Sequence, residues 1–246
     1  MSALTGALGS EVGRRYRANF DVAHLDLDPL LAVVVDGMGD SDGSALAGRT
    51  TVDTFVEGIT AARGKLGPRS IREAVAAAQD QVSEIARRDV GMAGCTLTAL
   101  LAADAEDAEG VDATLWIAQL GDSRVYRFRD DLLELLTVDH TMAWLGVAHG
   151  LYPLDSPQAD AARYHLTRYV GHAARPEPDV LSVVPAPGDV YLLCSDGVAE
   201  QVPYPRIREI LRLHIEPGAM VERILAAADV AGGQDNATAI VLRIPF

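Results

Sequence analysis

The sequence predicts an α+β fold in which pairs of helices stand between groups of strands. Three observations carry that expectation. Continuous apolar runs at 30–36 (LLAVVVD) and 188–195 (GDVYLLCS) read as strands buried on both faces. Apolar residues at helical spacing over 43–62 and 69–88 predict one helix pair, and 203–213 with 217–229 a second. The middle of the chain is a series of short apolar segments separated by turn signals. This grouping differs from the regular strand–helix alternation that builds a parallel sheet.

Taken in order, strand 30–36 ends in the turn Asp36-Gly37-Met38-Gly39, and helix 43–62 follows. Helix 69–88 has Ser70 as its expected N-cap and Arg87-Arg88 at its C-terminal end, where cations suit the helix dipole. Gly91 and Gly94 break it. Strands are expected at 95–103, 113–119, 123–128 and 132–136. The acidic connector 104–112 (DAEDAEGVD) reads as a solvated hairpin loop. A short helix is expected at 140–149. Residues 150–163, with Pro153 and Pro157, read as an irregular surface excursion or flap. The last strand, 237–244 (ATAIVLRI), follows Asp235-Asn236. With no internal repeat and no linker, residues 1–246 are expected to form a single domain, with the flap at about 150–164.

Composition narrows the function. Acids outnumber bases by 35 to 21, a formal charge of -14. That argues against nucleic acid or an anionic membrane as partner, since both need basic surface. The two cysteines, Cys95 and Cys194, lie far apart in apolar runs, so a disulfide framework is not expected and a cytoplasmic setting fits. No apolar stretch approaches the length of a membrane span. The chain has no GxxxxGK[ST] loop and no GxGxxG after a strand, which leaves a nucleotide-binding reading without support.

One pattern recurs. Asp36, Asp196 and Asp235 each stand at the edge of a core strand beside a small or polar turn residue. Singly, each reads as turn chemistry. Together, strand ends converging at one sheet edge could present acids to a common point. Clustered carboxylates repel unless a cation lies between them, and hard oxygen ligands select Mg²⁺ or Mn²⁺. The sequence has no HExxH, no CxxC and no His pair at metal spacing, so zinc is not expected.

Eight segments then carry a resemblance: VGRRYRANFD (12–21), VVVDGMG (33–39), GCTLTALL (94–101), QLGDSRVYRF (119–128), LTVDHT (136–141), HLTRYVG (165–171), GDVYLLCSDGV (188–198) and GGQDNATAIVLR (232–243). In this order they resemble the PPM-type (type 2C) metal-dependent protein serine/threonine phosphatases, in the compact bacterial form. The resemblance implies a four-layer αββα sandwich of two mainly antiparallel sheets flanked by helix pairs. It also implies two Mn²⁺ or Mg²⁺ ions at one end. Asp36 would bridge them, the Gly37 carbonyl would ligate the second, and Asp196 and Asp235 the first. Asp122 matches the acid that holds a weaker third ion, and Asp21 an acid that orients metal-bound water. Asn236 is expected to fix the turn. The implied reaction is hydrolysis of phosphoserine and phosphothreonine by a hydroxide bridging the metals, with no phosphoenzyme. The absence of a Cys-x5-Arg signature agrees, and both cysteines read as small buried hydrophobes.

The chain departs from the family pattern in places. The first motif usually ends Asn-Glu-Asp, and here it is Asn19-Phe20-Asp21. Phe20 supplies no oxygen, so the second metal should bind more weakly unless an acid such as Asp40 compensates. The family's phosphate-binding Arg falls on Tyr16, flanked by Arg15 and Arg17. On a strand these two would face away from Tyr16, and Arg17 is favoured for the phosphate if the register shifts. Ser44 stands where Glu is common. His140, in the Asp-His-Thr turn, is expected to cap the following helix, and Arg124 and Arg168 to make structural ion pairs. Phosphoprotein substrates made by an opposing Ser/Thr kinase are the implied partners. A different reading, motivated by Phe20 and the displaced Arg, is a pseudophosphatase that binds a kinase or phosphoprotein without turnover.

Overall fold

The computed structural model describes residues 4–88, 93–103 and 114–245. The acidic connector 104–112 and Gly91 lie outside the described residues. In chain order the strands are β1 (Thr5–Glu11), β2 (Val22–Leu27), β3 (Leu30–Val35), β4 (Leu97–Ala102), β5 (Leu115–Leu120), β6 (Arg124–Arg129), β7 (Leu132–Leu135), β8 (Asp179–Val183), β9 (Val190–Cys194) and β10 (Ala237–Arg243). The helices are α1 (Asp42–Ala61), α2 (Pro68–Arg87), α3 (Met142–Ala148), α4 (Pro157–Ala162), α5 (Asp196–Ala199), α6 (Tyr204–Leu211) and α7 (Pro217–Val230).

The strands form two five-stranded antiparallel sheets, ordered β1-β10-β9-β6-β7 and β2-β3-β4-β5-β8. Alternation along each interior strand explains the continuous apolar runs. Leu30, Ala32 and Val34 of β3 meet Tyr191 and Leu193 of β9 and Ile240 and Leu242 of β10 between the sheets. Leu31, Val33 and Val35 point the other way, against Phe55 and Ile59 of α1 and Val75 and Val82 of α2. Val190, Leu192 and Cys194 pack against Ile210 of α6 and Ile224 of α7. Both faces of each sheet are therefore covered, and the layers run helix, sheet, sheet, helix, as the resemblance implies.

Three strands have no counterpart in the sequence reading: β1, β2 and β8. All three lie at sheet edges. Their residues are mostly half-buried or exposed, so no apolar run announces them. Two local expectations also change. The N-cap of α2 is Gly67, not Ser70, because Pro68 already takes the first helical position. Ser70 still serves the cap, accepting the Gly67 N–H at 2.9 Å. The flap is not wholly irregular either. Ser156 accepts the Ala159 N–H at 3.2 Å and starts α4 behind Pro157.

Candidate active site

The acids converge because strand ends converge. Asp36 leaves the end of β3, where its N–H donates to Thr96 Oγ1 at 2.9 Å and its carbonyl accepts the Thr96 N–H at 2.9 Å. Asp196 is the first residue of α5, directly after β9. Asp235 precedes β10, and Asp122 lies in the turn between β5 and β6. These four acids, with Gly37, Tyr16, Thr96, Arg163, Glu200 and Asn236, line one cleft of about 320 Å³. Asp21 stands behind it, buried, its Oδ2 accepting from Ser195 Oγ at 2.8 Å and Thr238 Oγ1 at 2.7 Å.

Second interactions hold each turn. Gln119 Nε2 donates to the carbonyls of Gly121 at 3.0 Å and Ser123 at 2.7 Å. The Gly121 N–H donates to His140 Nδ1 at 3.1 Å. The ring's Nε2 then donates to Asp179, 3.1 Å away. His140 thus pins the turn that carries Asp122 and does not cap α3. The cap is Thr141, whose hydroxyl accepts the Trp144 N–H at 3.1 Å. Asn236 ties the two ends of the chain together: its Oδ1 accepts the Gly13 N–H at 3.0 Å and its Nδ2 donates to Ala18 O at 3.3 Å. Arg124 makes a paired contact with Asp139, and Arg168 with Asp179, so both serve the scaffold.

Gly197 sits where the α5 turn meets the β10 turn. A Cβ there would lie 2.0 Å from Asn236 O. Gly197→Ala must therefore displace the Asp235-Asn236 turn or itself. It is expected to lower stability by about 1–3 kcal/mol, the usual cost of overpacking, as read by denaturant unfolding.

Proximity is electrostatically costly. Burial first, then the charges of Asp196, Asp21 and Asp122, push the Asp36 carboxyl well above its ordinary range. Asp196 is raised by burial, then by Asp122 and Asp235. Burial lifts Asp122 to about 7 and Asp21 to about 6, the latter against its two hydroxyl hydrogen bonds. Among the described residues no three acid, His or Cys side chains are arranged to grip a metal ion as they stand. Yet Asp21 Oδ1 and Asp196 Oδ1 are buried with no hydrogen-bond partner. Buried, unpartnered carboxylate oxygens in an all-oxygen set fit a hard divalent cation.

A family model described as protein phosphatase 2C matches residues 18–222. The chain belongs to that family. It is similar to the serine/threonine phosphatase stp of Listeria innocua, 26% identical over 226 residues, covering 88% of this chain and 85% of the relative. Among solved structures it resembles the PPM Ser-Thr phosphatase MsPP from Mycobacterium smegmatis in complex with cacodylate, with a TM-score of 0.84, 28% identity and full coverage of both chains. It also resembles the catalytic domain of the phosphatase PstP in complex with two manganese ions, with a TM-score of 0.82, 26% identity and 99% of each chain covered.

Within this protein phosphatase 2C chain, several sequence expectations change at the cleft. Residues 12–21 are not a strand but a loop that turns at Arg14-Arg15, so the face argument for Arg15 and Arg17 does not apply. Arg17 is exposed and outside the cleft lining, whereas the Arg15 charge is felt at Asp235. Asp40 is exposed and also outside the lining. Ser44 donates to Met38 O and closes the turn after Gly37. The positions of the missing Arg and Glu hold an aromatic pair, with Tyr16 and Phe20 edge-to-face at 6.0 Å between ring centres. Sequence reasoning gives no site role to several lining residues, among them Tyr16, Thr96, Arg163, Tyr164, Leu166 and Glu200. Arg163 is the sole Arg or Lys that lines the cleft among the described residues. Its Nη1 faces Glu200 at 3.6 Å and its Nη2 faces Asp160 at 2.5 Å, while its Nε is buried without a partner.

Proposed function

We propose that this protein serine/threonine phosphatase hydrolyses phosphoserine and phosphothreonine in proteins using Mn²⁺ or Mg²⁺ held at the carboxylate cleft. The observation that carries the reading is the convergence of Asp36, Asp122, Asp196 and Asp235 on one cleft, with Asp196 Oδ1 and Asp21 Oδ1 buried and without hydrogen-bond partners. Asp36, Asp196, Asp235 and the Gly37 carbonyl would hold two ions, and Asp122 a weaker third. Bound there, the ions supply charge neutralisation and a water acidic enough to attack phosphorus at neutral pH. Asp21, fixed by Ser195 and Thr238, would orient that water from behind.

The chain's other groups do the binding. Arg163, with an unpartnered Nε, supplies positive charge for the phosphoryl oxygens in place of the arginine that Tyr16 displaces. Burial, then Asp235, Asp36 and Asp196, raise the Tyr16 phenol, which keeps it protonated as a donor. Neither cysteine is a nucleophile: burial pushes both thiols up to about 12. That supports direct hydrolysis without a phosphoenzyme. The unpaired buried cysteines also suit a cytoplasmic setting, and a Ser/Thr kinase would supply the phosphoproteins. Among the described residues no helix is long and apolar enough to cross a membrane.

The reading is tested by phosphate release from a phosphothreonine peptide with added Mn²⁺. Within it, Arg163→Ala is expected to raise KM for the peptide about tenfold and to weaken inhibition by inorganic phosphate equally, with Arg163→Lys intermediate. Arg17→Ala should stay within about twofold of wild type, as an exposed residue outside the cleft.

A further inference from the structure

A second groove, of about 420 Å³, runs on from the cleft. Arg163 and Glu200 line both, so the two cavities share a wall. The far side of the groove is apolar. It is built from Leu135 at the end of β7, Val138, Trp144 of α3 and Leu154 of the flap. These four are 44%, 41%, 46% and 66% exposed, an unusual amount of large apolar surface to leave beside a catalytic cleft. The charges near it are paired: Arg124 sits 2.6 Å from Asp139, and Arg163 faces Glu200. The groove therefore offers an apolar side chain something to cover, and no unpaired ion for a charged one.

We propose that this groove is a specificity subsite, taking a large apolar side chain (Leu, Ile, Met or Phe) that flanks the phosphoresidue of the protein substrate. The proposal rests on the cleft being the phosphatase site and names the substrate class that site prefers. Continuity decides the occupant. A phosphopeptide with its phosphoryl group beside Arg163 has its neighbouring residues against the same wall, and one of them must pass over Trp144 and Leu154. A small aryl phosphate reaches only the cleft, so its turnover is blind to the groove.

The experiment uses the full chain with Mn²⁺ and a set of phosphothreonine peptides. These are identical except for Leu, Ser or Asp placed in turn at each of the flanking positions, and p-nitrophenyl phosphate is the control. At one flanking position Leu should exceed Ser and Asp in kcat/KM by at least about tenfold, mainly through KM. Trp144→Ala and, independently, Leu154→Ser should each erase most of that preference while leaving p-nitrophenyl phosphate turnover within about twofold of wild type. Equal kcat/KM across all peptides overturns the proposal, as does a Leu preference that survives both substitutions. A substitution that changes only self-association, read by sedimentation, assigns the groove to a second copy of the chain and also overturns it. If the wild type turns over neither peptides nor p-nitrophenyl phosphate, the phosphatase reading fails and the subsite falls with it.

Discussion

Asp36→Asn is expected to cut turnover by at least about 10³-fold, the scale on which a central charge-stabilising group contributes to catalysis, while making the metal-free protein more stable. The two signs have one cause. Asp36 is half-buried beside Asp196, Asp21 and Asp122, and both burial and those charges oppose its ionisation. Asparagine keeps the shape and hydrogen-bonding capacity but removes the charge. The fold then no longer holds that negative charge among the others, and the side chain loses one of the two anionic oxygens with which it would hold the ions. In EDTA at pH 8 the melting temperature of Asp36→Asn should rise by about 2–4 °C for each kcal/mol relieved. A variant that loses activity and also melts lower would show that Asp36 supports the fold and not the chemistry.

Proton linkage gives the second large effect. Asp21 near 6 and Asp122 near 7, with Asp36 and Asp196 also raised, bind more protons folded than unfolded once the pH exceeds about 4. Their favourable contribution is present below that pH and is lost as the pH rises through 6 to 7. The metal-free protein should therefore melt lower at pH 8 than at pH 5.5. Divalent ions reverse the trend, because they need the same carboxylates deprotonated. The rise in melting temperature on adding Mn²⁺ should be larger at pH 8 than at pH 5.5. Calorimetric titration in buffers of different ionisation enthalpy should show net proton release. Among the paired groups His140, held below its ordinary value chiefly by burial, titrates in this window; it favours the folded state as the pH rises, one group set against the four acids. Burial pushes Asp189 and Asp179 up, but Arg129 on the first and Arg168 on the second override it, and both carboxyls end below their usual range. Their contribution is lost only below about pH 4.

What is legible in the sequence follows from burial. β3, β9 and β10 are covered on both faces, so each reads as an unbroken apolar run, and each has a metal-candidate acid at its end. Asp36, Asp196 and Asp235 therefore stand out as a set from the order of residues alone. The edge strands β1, β2 and β8 do not, because half-exposed strands carry no such run. Asp21 is visible only through the family motif, since no apolar strand leads into it. Arg163 cannot be read at all. It lies in the flap, 127 positions from Asp36 along the chain, and only the tertiary path of α4 brings it to the cleft. The Tyr16–Phe20 contact is equally hidden. Taken one at a time, the two replacements look like losses, yet two rings are in contact where the family's Arg and Glu would stand. The expectation that His140 caps α3 fails for a related reason, because its partner Gly121 is distant in sequence.

The most direct measurement is phosphate release from a phosphothreonine peptide as Mn²⁺ is titrated into EDTA-treated protein, wild type beside Asp36→Asn. The wild type should be inactive in EDTA and recover saturably with Mn²⁺, while Asp36→Asn stays inactive at every concentration. Equal release by both proteins, release that ignores Mn²⁺, or Mn²⁺ binding by the wild type with no release at all would contradict the account.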